Sequence, residues 1–290
     1  MVSRNIFGIS IIATLILILV AMLVIYPAQI LNWLSPHSYR LVNNVVYAPG
    51  RDLALDIYQP LSDTRDKPVI VFFYGGTWNS GARTDYRFVG AALAERGYVV
   101  VIPDYRLYPA VRYPQFLDDC ASAVAWTLRE IPRYGGNRHR VYLLGHSAGA
   151  YNAAMLALDQ RWLHAQGISP NALRGWAGLA GPYDFFPSNN LKVQPVFMHP
   201  HYPPLAQPIE HVRENRVPAF IAAAKTDNLI DPVRNSEQLA HKLQTEGVTV
   251  QLRIYPGVNH VTLLGAFAWP LRWLAPVLDD VTAFFHSVDE

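Results

Sequence analysis

Residues 140–158 read RVYLLGHSAGAYNAAMLAL, and this stretch predicts a strand, a sharp turn and a helix in direct succession. The apolar residues before Gly145 have the composition of a buried strand, and the small and apolar residues after Gly149 are typical of a packed helix ending near Leu158. The five residues between them have the G-x-S-x-G form centred on Ser147. Since a bulky side chain two positions from the serine would clash in so tight a turn, the glycines favour a nucleophilic serine on a strained bend. A chance match in an ordinary turn is the alternative, and only residues elsewhere in the chain can distinguish the two.

Strand and helix patterns alternate along the chain on both sides of this stretch. Further strands are predicted at residues 45–47, 53–57, 68–73, 98–102, 176–180, 219–224 and 248–254, and further helices at 85–95, 116–130, 232–246 and 269–286. The second of these strands alternates Leu53, Leu55 and Ile57 with Asp52, Ala54 and Asp56, and together with the first it predicts a hairpin with one face in water. The strand at 68–73 is apolar throughout, and helices lie between the later strands. The predicted fold class is therefore α/β, with a mostly parallel, doubly wound sheet after an N-terminal hairpin.

Residues 184–215 interrupt the alternation with six prolines and little periodicity. An insertion of this length inside a compact domain is more often a functional loop than a passive connection, so we expect a small lid over the site. The insertion contains His199 and His201, which could bind a metal ion. Two histidines without carboxylate or cysteine ligands beside them are typical of exposed loops, and no metal site is predicted.

An acid and a base follow two later strands near the points where those strands end. Asp227 comes shortly after the strand at 219–224, and His260 follows the strand at 248–254. A serine nucleophile needs a histidine to accept its proton and a carboxylate to orient that histidine. Because the carboxyl ends of parallel strands share one edge of a sheet, Ser147, Asp227 and His260 are predicted as a catalytic triad. Asp231 is the alternative acid, although it lies farther from the strand end.

The segment Tyr74-Gly75-Gly76-Thr77-Trp78 follows an early central strand. Acyl transfer places negative charge on the former carbonyl oxygen, which backbone N–H groups must approach closely. Adjacent glycines permit that approach, so these glycines and the N–H of Ala148 are predicted to form an oxyanion hole. An ordinary glycine turn is the alternative.

Several aromatic residues near these loops are candidates for a substrate pocket. Trp78 and Tyr183 are the predicted pocket residues, with Phe185 and Phe186 beside them in the sequence. Aromatic side chains fill protein cores as often as they line binding sites, so a core position is the alternative for each.

Together these motifs resemble the α/β-hydrolase esterases of the hormone-sensitive-lipase-like and feruloyl-esterase-like groups, which include kynurenine formamidases. The resemblance extends over about residues 40–290 and also includes the segments at 103–107 and 181–184. It implies an α/β-hydrolase fold, the triad named above, and structural roles for Asp104 and Arg106. It also implies that the oxyanion donors are the N–H groups of Gly76, Thr77 and Ala148. The chain departs from the family at Tyr74, where the usual residue is histidine, and the shape of the oxyanion hole is therefore left open.

The resemblance and the triad imply a serine carboxylesterase that acts through an acyl-enzyme on a small-molecule ester and needs no cofactor. The same residues would serve a formamidase or another amidase. A binding protein that has kept the fold and lost its chemistry is the alternative outside enzymes, although such proteins usually lack one member of the triad.

The N-terminal segment Ile6–Tyr26 has 21 residues without a charge, of which 18 are hydrophobic. As a helix it would be about 30 Å long, which matches the hydrocarbon core of a bilayer. We therefore predict a single-span membrane anchor within residues 1–30, a linker at 31–40 and a hydrolase domain at 41–290. A cleaved signal peptide and a buried core helix are the alternatives. Arg4 favours a cytoplasmic amino terminus, which would place the domain outside the cytoplasm.

Overall composition excludes other classes of protein. The hydrophobic share is 51%, which excludes a disordered chain. Lysine and arginine number 24 against 22 acidic residues and form no cluster, so nucleic-acid binding is not predicted. A single cysteine, Cys120, excludes an internal disulfide framework.

Overall fold

A computed structural model describes residues 27–62, 65–213 and 216–289. Eight strands form one sheet: β1 (Tyr39–Ala48), β2 (Leu53–Pro60), β3 (Lys67–Phe73), β4 (Val99–Pro103), β5 (Gly136–His146), β6 (Leu173–Leu179), β7 (Ala219–Ala224) and β8 (Val250–Tyr255). Their order across the sheet is β1-β2-β4-β3-β5-β6-β7-β8. The pairs β1–β2 and β2–β4 are antiparallel and the remaining pairs are parallel. This is the predicted α/β architecture. Each of the eight strands overlaps a predicted strand, although β1 begins at Tyr39, before the predicted 45–47.

Helices cover both faces of the sheet and connect its parallel strands. They are α1 (Pro27–Leu34), α2 (Arg87–Glu95), α3 (Gln115–Glu130), α4 (Ala148–Leu158), α5 (Gln160–His164), α6 (Gln238–Thr245), α7 (His260–Gly265) and α8 (Val277–Ser287). The predicted last helix at 269–286 is divided in the structure. Residues Trp269–Leu274 form a 3₁₀ turn, and the α-helix begins only after Pro276. Proline is tolerated at a helix start but interrupts a helix interior, which accounts for the break.

The core is continuous through the central strands, where Val69, Ile70 and Val71 of β3 are fully buried. The predicted hairpin is present, but its expected wet face on β2 is not exposed. Asp56 on that face is buried, and its Oδ1 accepts the N–H of Asn44 at 2.8 Å and Nε–H of Arg83 at 2.9 Å. A carboxylate is accommodated inside because a buried charge can be offset by a paired, hydrogen-bonded cation.

The prediction of a membrane anchor is wrong for the part of the chain that the structure describes, where no helix is long and apolar enough to cross a bilayer. The membrane partner, the single-pass localisation and the orientation derived from Arg4 are corrected with it. The stretch Ile6–Tyr26 itself lies outside the described residues. The helix that follows it, α1, has 8 residues, and at ~1.5 Å per residue it rises only about 12 Å, against a hydrocarbon core of ~30 Å. Instead of a linker, residues 31–34 belong to this helix.

Strand register brings the loops of interest together. Phe73 of β3 lies beside Gly145 of β5, so the loop after β3 and the turn after β5 leave the sheet next to each other. Ala224 of β7 pairs with Tyr255 of β8 at the same edge. Parallel strands thus deliver four chain segments to one edge of the sheet.

Candidate active site

Ser147 lies on the turn between β5 and α4 with φ 54° and ψ −123°, a conformation that L-residues rarely adopt. The flanking glycines make the turn possible. A Cβ at Gly145 would lie 2.1 Å from the carbonyl oxygen of Gly149, and one at Gly149 would lie 2.0 Å from the carbonyl oxygen of Phe73. The Ser147 N–H donates to the Leu179 carbonyl at 2.9 Å, which fixes the strained backbone to the neighbouring strand.

His260 begins helix α7 and faces the serine. Its Nε2 lies 2.9 Å from Ser147 Oγ, and its Nδ1 lies 2.7 Å from Asp227 Oδ2. Asn259 caps the helix, because its side-chain oxygen accepts the N–H groups of Val261 and Thr262 at 3.0 and 2.9 Å. The cap holds the first residue of the helix in place, so the imidazole is oriented by both backbone and carboxylate.

Asp227 is buried in the loop after β7, and both of its oxygens are occupied. Oδ1 accepts the N–H groups of Leu229 at 2.9 Å and Ile230 at 3.0 Å, while Oδ2 faces His260. Burial raises the pKa of this carboxyl, but the hydrogen bond and charge of His260 and the two backbone N–H groups outweigh it, and the net pKa is lowered. Asp227 is therefore ionised at neutral pH.

The alternative acid, Asp231, is not brought to the histidine. It is exposed, and its Oδ1 accepts the N–H groups of Val233 at 2.9 Å and Arg234 at 3.3 Å. These contacts are those of a residue that begins a helical turn. The structure thus assembles Ser147, His260 and Asp227 in one hydrogen-bonded chain and assigns Asp231 a local capping contact.

The three predicted oxyanion donors lie beside the serine on two loops. Gly75 touches the elbow so closely that a Cβ there would lie 2.9 Å from Cβ of Ser147. Gly76 has φ +122°, and a Cβ on it would lie 2.2 Å from the Ser80 carbonyl oxygen, so both position and conformation require glycine. Among the described residues, no acceptor is present for the N–H groups of Gly76 and Thr77. Ala148 occupies the first turn of α4, where N–H groups have no intrahelical partner.

Tyr74, which replaces the family's histidine, points away from the oxyanion loop. Its hydroxyl donates to Asp104 Oδ1 at 3.0 Å, and its ring stacks on Tyr105 with centroids 4.7 Å apart. Asp104 pairs with Arg83, whereas Arg106 binds Asp119 with Nε at 2.8 Å from Oδ2. Asp104 and Arg106 are thus both held in ion pairs, as predicted for structural residues, but with separate partners.

His146, next to the nucleophile, has a contact that the sequence did not indicate. Its Nε2–H donates to the carbonyl oxygen of His260 at 2.9 Å, which ties the elbow to the histidine loop. Burial, followed by the charge of His260, lowers the pKa of His146 to about 3. The ring is therefore neutral, and the proton available to the carbonyl stays on Nε2. In the sequence, the one signal for this contact between His146 and His260 is that a histidine directly precedes Ser147.

Two cavities meet at Ser147 and His260. The polar cavity, about 620 Å³, is lined mainly by the segment 182–193 together with Trp78 and Arg234. The apolar cavity, about 650 Å³, is lined by α1, Phe88 and α7. Thr77 and Leu229 border both. A substrate whose reacting carbon lies at Ser147 would therefore have space for one group in each cavity.

The predicted pocket residues have different positions. Trp78 lines the polar cavity and donates its Nε1–H to Asn152 Oδ1 at 3.0 Å. Phe185 stacks on Trp78 with centroids 6.0 Å apart and borders the same cavity. Tyr183 is fully buried, with its ring packed against Trp176, and does not reach either cavity.

The insertion at 184–213 packs on the domain rather than standing apart from it. The N–H groups of Phe185 and Phe186 donate to Gln207 Oε1 at 2.6 and 2.8 Å. The N–H of Asp184 donates to Asn235 Oδ1 at 2.9 Å, and Phe197 is fully buried. Gln207 and Asn235, neither of which has a sequence signature, therefore hold the wall of the polar cavity. His199 contacts Tyr202 Oη through Nδ1 at 3.0 Å.

Comparison with known families agrees with this arrangement. A family model described as the prolyl oligopeptidase family matches residues 115–279, more than half of the 290-residue chain. A second model, described as BD-FAE, matches residues 55–172. The predicted fold class and the resemblance to α/β-hydrolase esterases are confirmed by these matches.

Curated relatives include a probable isoprenylcysteine alpha-carbonyl methylesterase of Oryza sativa subsp. japonica, which is 27% identical over 87% of this chain and 65% of its own length. A kynurenine formamidase of Salmo salar is 25% identical over 76% of this chain and 75% of its own length. The chain spans less than two thirds of the length of the plant methylesterases that it matches. Among solved structures, an esterase of Pyrobaculum calidifontis has a TM-score of 0.75 and 22% identity, with 91% of this chain and 90% of the other covered. The structural likeness shows that the fold is shared.

Proposed function

The chain belongs to the prolyl oligopeptidase family of α/β-hydrolases, and from that membership we propose that it is a serine carboxylesterase. The observation that carries the proposal is the hydrogen-bonded chain from Ser147 Oγ through His260 to Asp227, at 2.9 and 2.7 Å, where two cavities meet. Those distances allow a proton to move from serine to histidine while the carboxylate holds the ring. The names of the relatives, a methylesterase and other esterases, support the same class of bond.

In the proposed acylation step, Ser147 Oγ attacks the ester carbonyl carbon while its proton passes to His260 Nε2. The bond to the alcohol oxygen then breaks, and His260 returns the proton to that oxygen. A water molecule next attacks the acyl carbon while His260 accepts its proton. The bond from that carbon to Ser147 Oγ then breaks, His260 returns the proton to Oγ, and the carboxylic acid leaves. Asp227 stabilises the imidazolium that forms twice in this cycle.

The proposed oxyanion donors are the N–H groups of Gly76, Thr77 and Ala148. Each has no acceptor in the described chain or lies in the first turn of a helix, where its N–H is available to a ligand. The positive end of the α4 dipole also lies next to Ser147 and favours negative charge there. Backbone donors are fixed before the substrate binds, so they need no reorganisation during the reaction.

The test compares wild type, Ser147→Ala and Ser122→Ala on p-nitrophenyl butyrate. Ser122 lies on α3 and donates to the Asp118 carbonyl, so its replacement is a serine-to-alanine control away from the site. We expect Ser147→Ala to lose about 10⁶-fold in kcat and Ser122→Ala to match wild type. A fluorophosphonate should add its mass to Ser147 alone. Equal activity of Ser147→Ala and wild type would overturn the proposal.

Hydrolysis of an aryl formamide is a second candidate, favoured by the kynurenine formamidase whose length is covered to 75%. The aromatic wall formed by Trp78 and Phe185 would suit the aryl ring. The ratio of kcat/KM for N-formylkynurenine and for phenyl acetate distinguishes the two functions. A ratio well above one favours the formamidase, and a ratio well below one favours the carboxylesterase.

A further inference from the structure

The apolar cavity beside the serine differs in chemistry from the polar one. No Asp, Glu, Lys or Arg of the described chain lines it, whereas Asp184, Lys192, Asp231 and Arg234 line the polar cavity. Its apolar lining comes from four parts of the chain: Leu31, Leu34, Phe88, Val261, Leu264 and Leu271. A charged or strongly hydrated group placed there would lose its water without gaining a partner.

Helix α1 forms one wall of this cavity and is fastened to the domain. Asn32 Nδ2 donates to the Thr84 carbonyl at 2.9 Å, and Asn32 Oδ1 accepts the N–H of Phe88 at the same distance. Ser35 Oγ donates to the Leu31 carbonyl at 2.7 Å, a bond within the last turn of the helix. The wall is therefore fixed to the domain by Asn32, which lies between the lining residues Leu31 and Leu34. Sequence reasoning assigned these residues to a linker.

We propose that the apolar cavity binds one arm of the substrate ester, a straight-chain or branched hydrocarbon group of several carbons, and that α1 limits the size of that group. The inference rests on the proposed esterase function. An ester has two arms at its reacting carbon, and each cavity reaches Ser147 and His260. The arm without polar groups takes the cavity without charges, and the more polar arm takes the cavity that is lined by charged residues of both signs.

Two substrate series determine which arm enters. One series varies the acyl chain of p-nitrophenyl esters from two to twelve carbons, and the other varies the alcohol of acetate esters from one to eight carbons. Each methylene buried in the cavity should raise kcat/KM roughly fourfold until the cavity is full. We expect this rise in one series only, because only one arm can occupy the apolar side.

Variants in α1 test the wall itself. Leu31→Trp and Leu34→Trp reduce the cavity from the helix side, so the preferred chain should become shorter. We expect kcat/KM for the longest accepted ester to fall at least about tenfold relative to the acetyl or methyl ester. Trp33→Ala is the matched control, because Trp33 is on the same helix, is exposed and does not line the cavity. Its chain-length profile should match wild type. Having two tryptophan variants keeps the test informative if one of them fails to fold.

The outcomes separate this inference from the function on which it rests. If no ester of any length is hydrolysed faster than by Ser147→Ala, the esterase function fails. If esters are hydrolysed but neither series depends on chain length, the apolar arm is refuted while the function stands. If Leu31→Trp and Leu34→Trp both retain the wild-type profile, as Trp33→Ala should, the limit set by α1 is refuted.

Discussion

Replacing Asp227 by asparagine should change the proton position on His260 rather than the packing of the site. Asp227 Oδ1 accepts two backbone N–H groups, from Leu229 and Ile230, at 2.9 and 3.0 Å. An asparagine at 227 has to place its amide oxygen there, since an NH₂ group cannot accept those bonds. The NH₂ group then takes the place of Oδ2, 2.7 Å from His260 Nδ1. Two donors cannot share that contact, so Nδ1 becomes the acceptor and the ring proton moves to Nε2.

The size of the effect distinguishes two roles for the carboxylate. A histidine with its proton on Nε2 cannot accept the proton of Ser147, and loss of the correct tautomer in a serine triad lowers kcat about 10⁴-fold. That factor corresponds to about 5.5 kcal/mol of transition-state stabilisation. Loss of a charge-assisted hydrogen bond alone would cost about 1.5–3 kcal/mol, or roughly 10- to 150-fold. We expect the larger loss.

The assay is the kcat of wild type, Asp227→Asn and Asp231→Asn on one activated ester, with thermal unfolding of each variant. Asp231→Asn is the matched control, because Asp231 lines the polar cavity without a hydrogen bond to Ser147 or His260. It accepts the N–H groups of Val233 and Arg234, and asparagine caps a helix as well as aspartate does. Its kcat should stay within about threefold of wild type, since no reacting group changes its hydrogen bonds.

A loss in Asp227→Asn of no more than about 150-fold would refute the tautomer argument, because loss of the charge-assisted hydrogen bond alone accounts for a loss of that size. An equal loss in Asp231→Asn would show that the acid has been misassigned. Unfolding of Asp227→Asn at a much lower temperature than wild type would also contradict the reasoning, which requires the backbone contacts of Oδ1 to survive.

Two further predictions concern the elbow. Because burial and the charge of His260 lower the pKa of His146 from 6.5 to about 3, the unfolded chain binds a proton below pH 6.5 that the folded chain does not, so stability falls as pH falls. His146 should therefore lower the free energy of unfolding by about 2 kcal/mol between pH 7 and pH 5. In urea denaturation, this loss should disappear in His146→Gln and remain in the control His241→Gln, whose histidine is exposed. Identical pH dependence in wild type and both variants would contradict the prediction. Gly149→Ala should destabilise the fold by about 3 kcal/mol or more, because its Cβ would lie 2.0 Å from the Phe73 carbonyl oxygen. Gly50→Ala, with open space around the Cβ, should change the free energy of unfolding by less than about 0.5 kcal/mol. Equal melting temperatures of the two variants would refute the steric argument.

The strands and the meeting of Ser147, Asp227 and His260 could be predicted from sequence because the signals for them are local. Buried parallel strands are continuous apolar runs, and parallel strands bring their carboxyl ends to one edge whatever their distance along the chain. Ser147 and Asp227 each follow such a run, and His260 follows a predicted strand that contains polar residues. Their meeting therefore required no knowledge of side-chain packing. The choice between Asp227 and Asp231 needed only the position of the strand end, although the hydrogen bonds that explain it are visible only in the structure.

Residues whose role depends on distant packing could not be placed in the same way. Tyr183 follows a strand near the site, as a pocket residue would, yet its ring turns into the core. The reason is the space left by two glycines, since a Cβ at Gly178 would lie 2.0 Å from its hydroxyl and a Cβ at Gly181 would lie 2.4 Å from its ring. Glycines at those two positions indicate space for an aromatic ring, but they predict a core position for Tyr183 only once the strand face on which they lie is known.

The N-terminal region shows why apolar composition alone does not identify a function. Ile30, Leu31 and Leu34 lie at the end of an apolar sequence that predicts a membrane anchor and a linker, and hydrophobicity is equally consistent with any partner that excludes water. In the structure these three residues line the cavity that reaches Ser147. The polar residue Asn32 fixes them there through hydrogen bonds to Thr84 and Phe88, which are more than 50 positions away in the sequence. An apolar pattern therefore indicates that side chains will lie in surroundings that exclude water. The hydrogen bonds of Asn32, which lies between Leu31 and Leu34 in the sequence, determine where those surroundings are. If Asn32→Leu left both the stability and the chain-length profile of the enzyme unchanged, that contact would not be the one that positions α1.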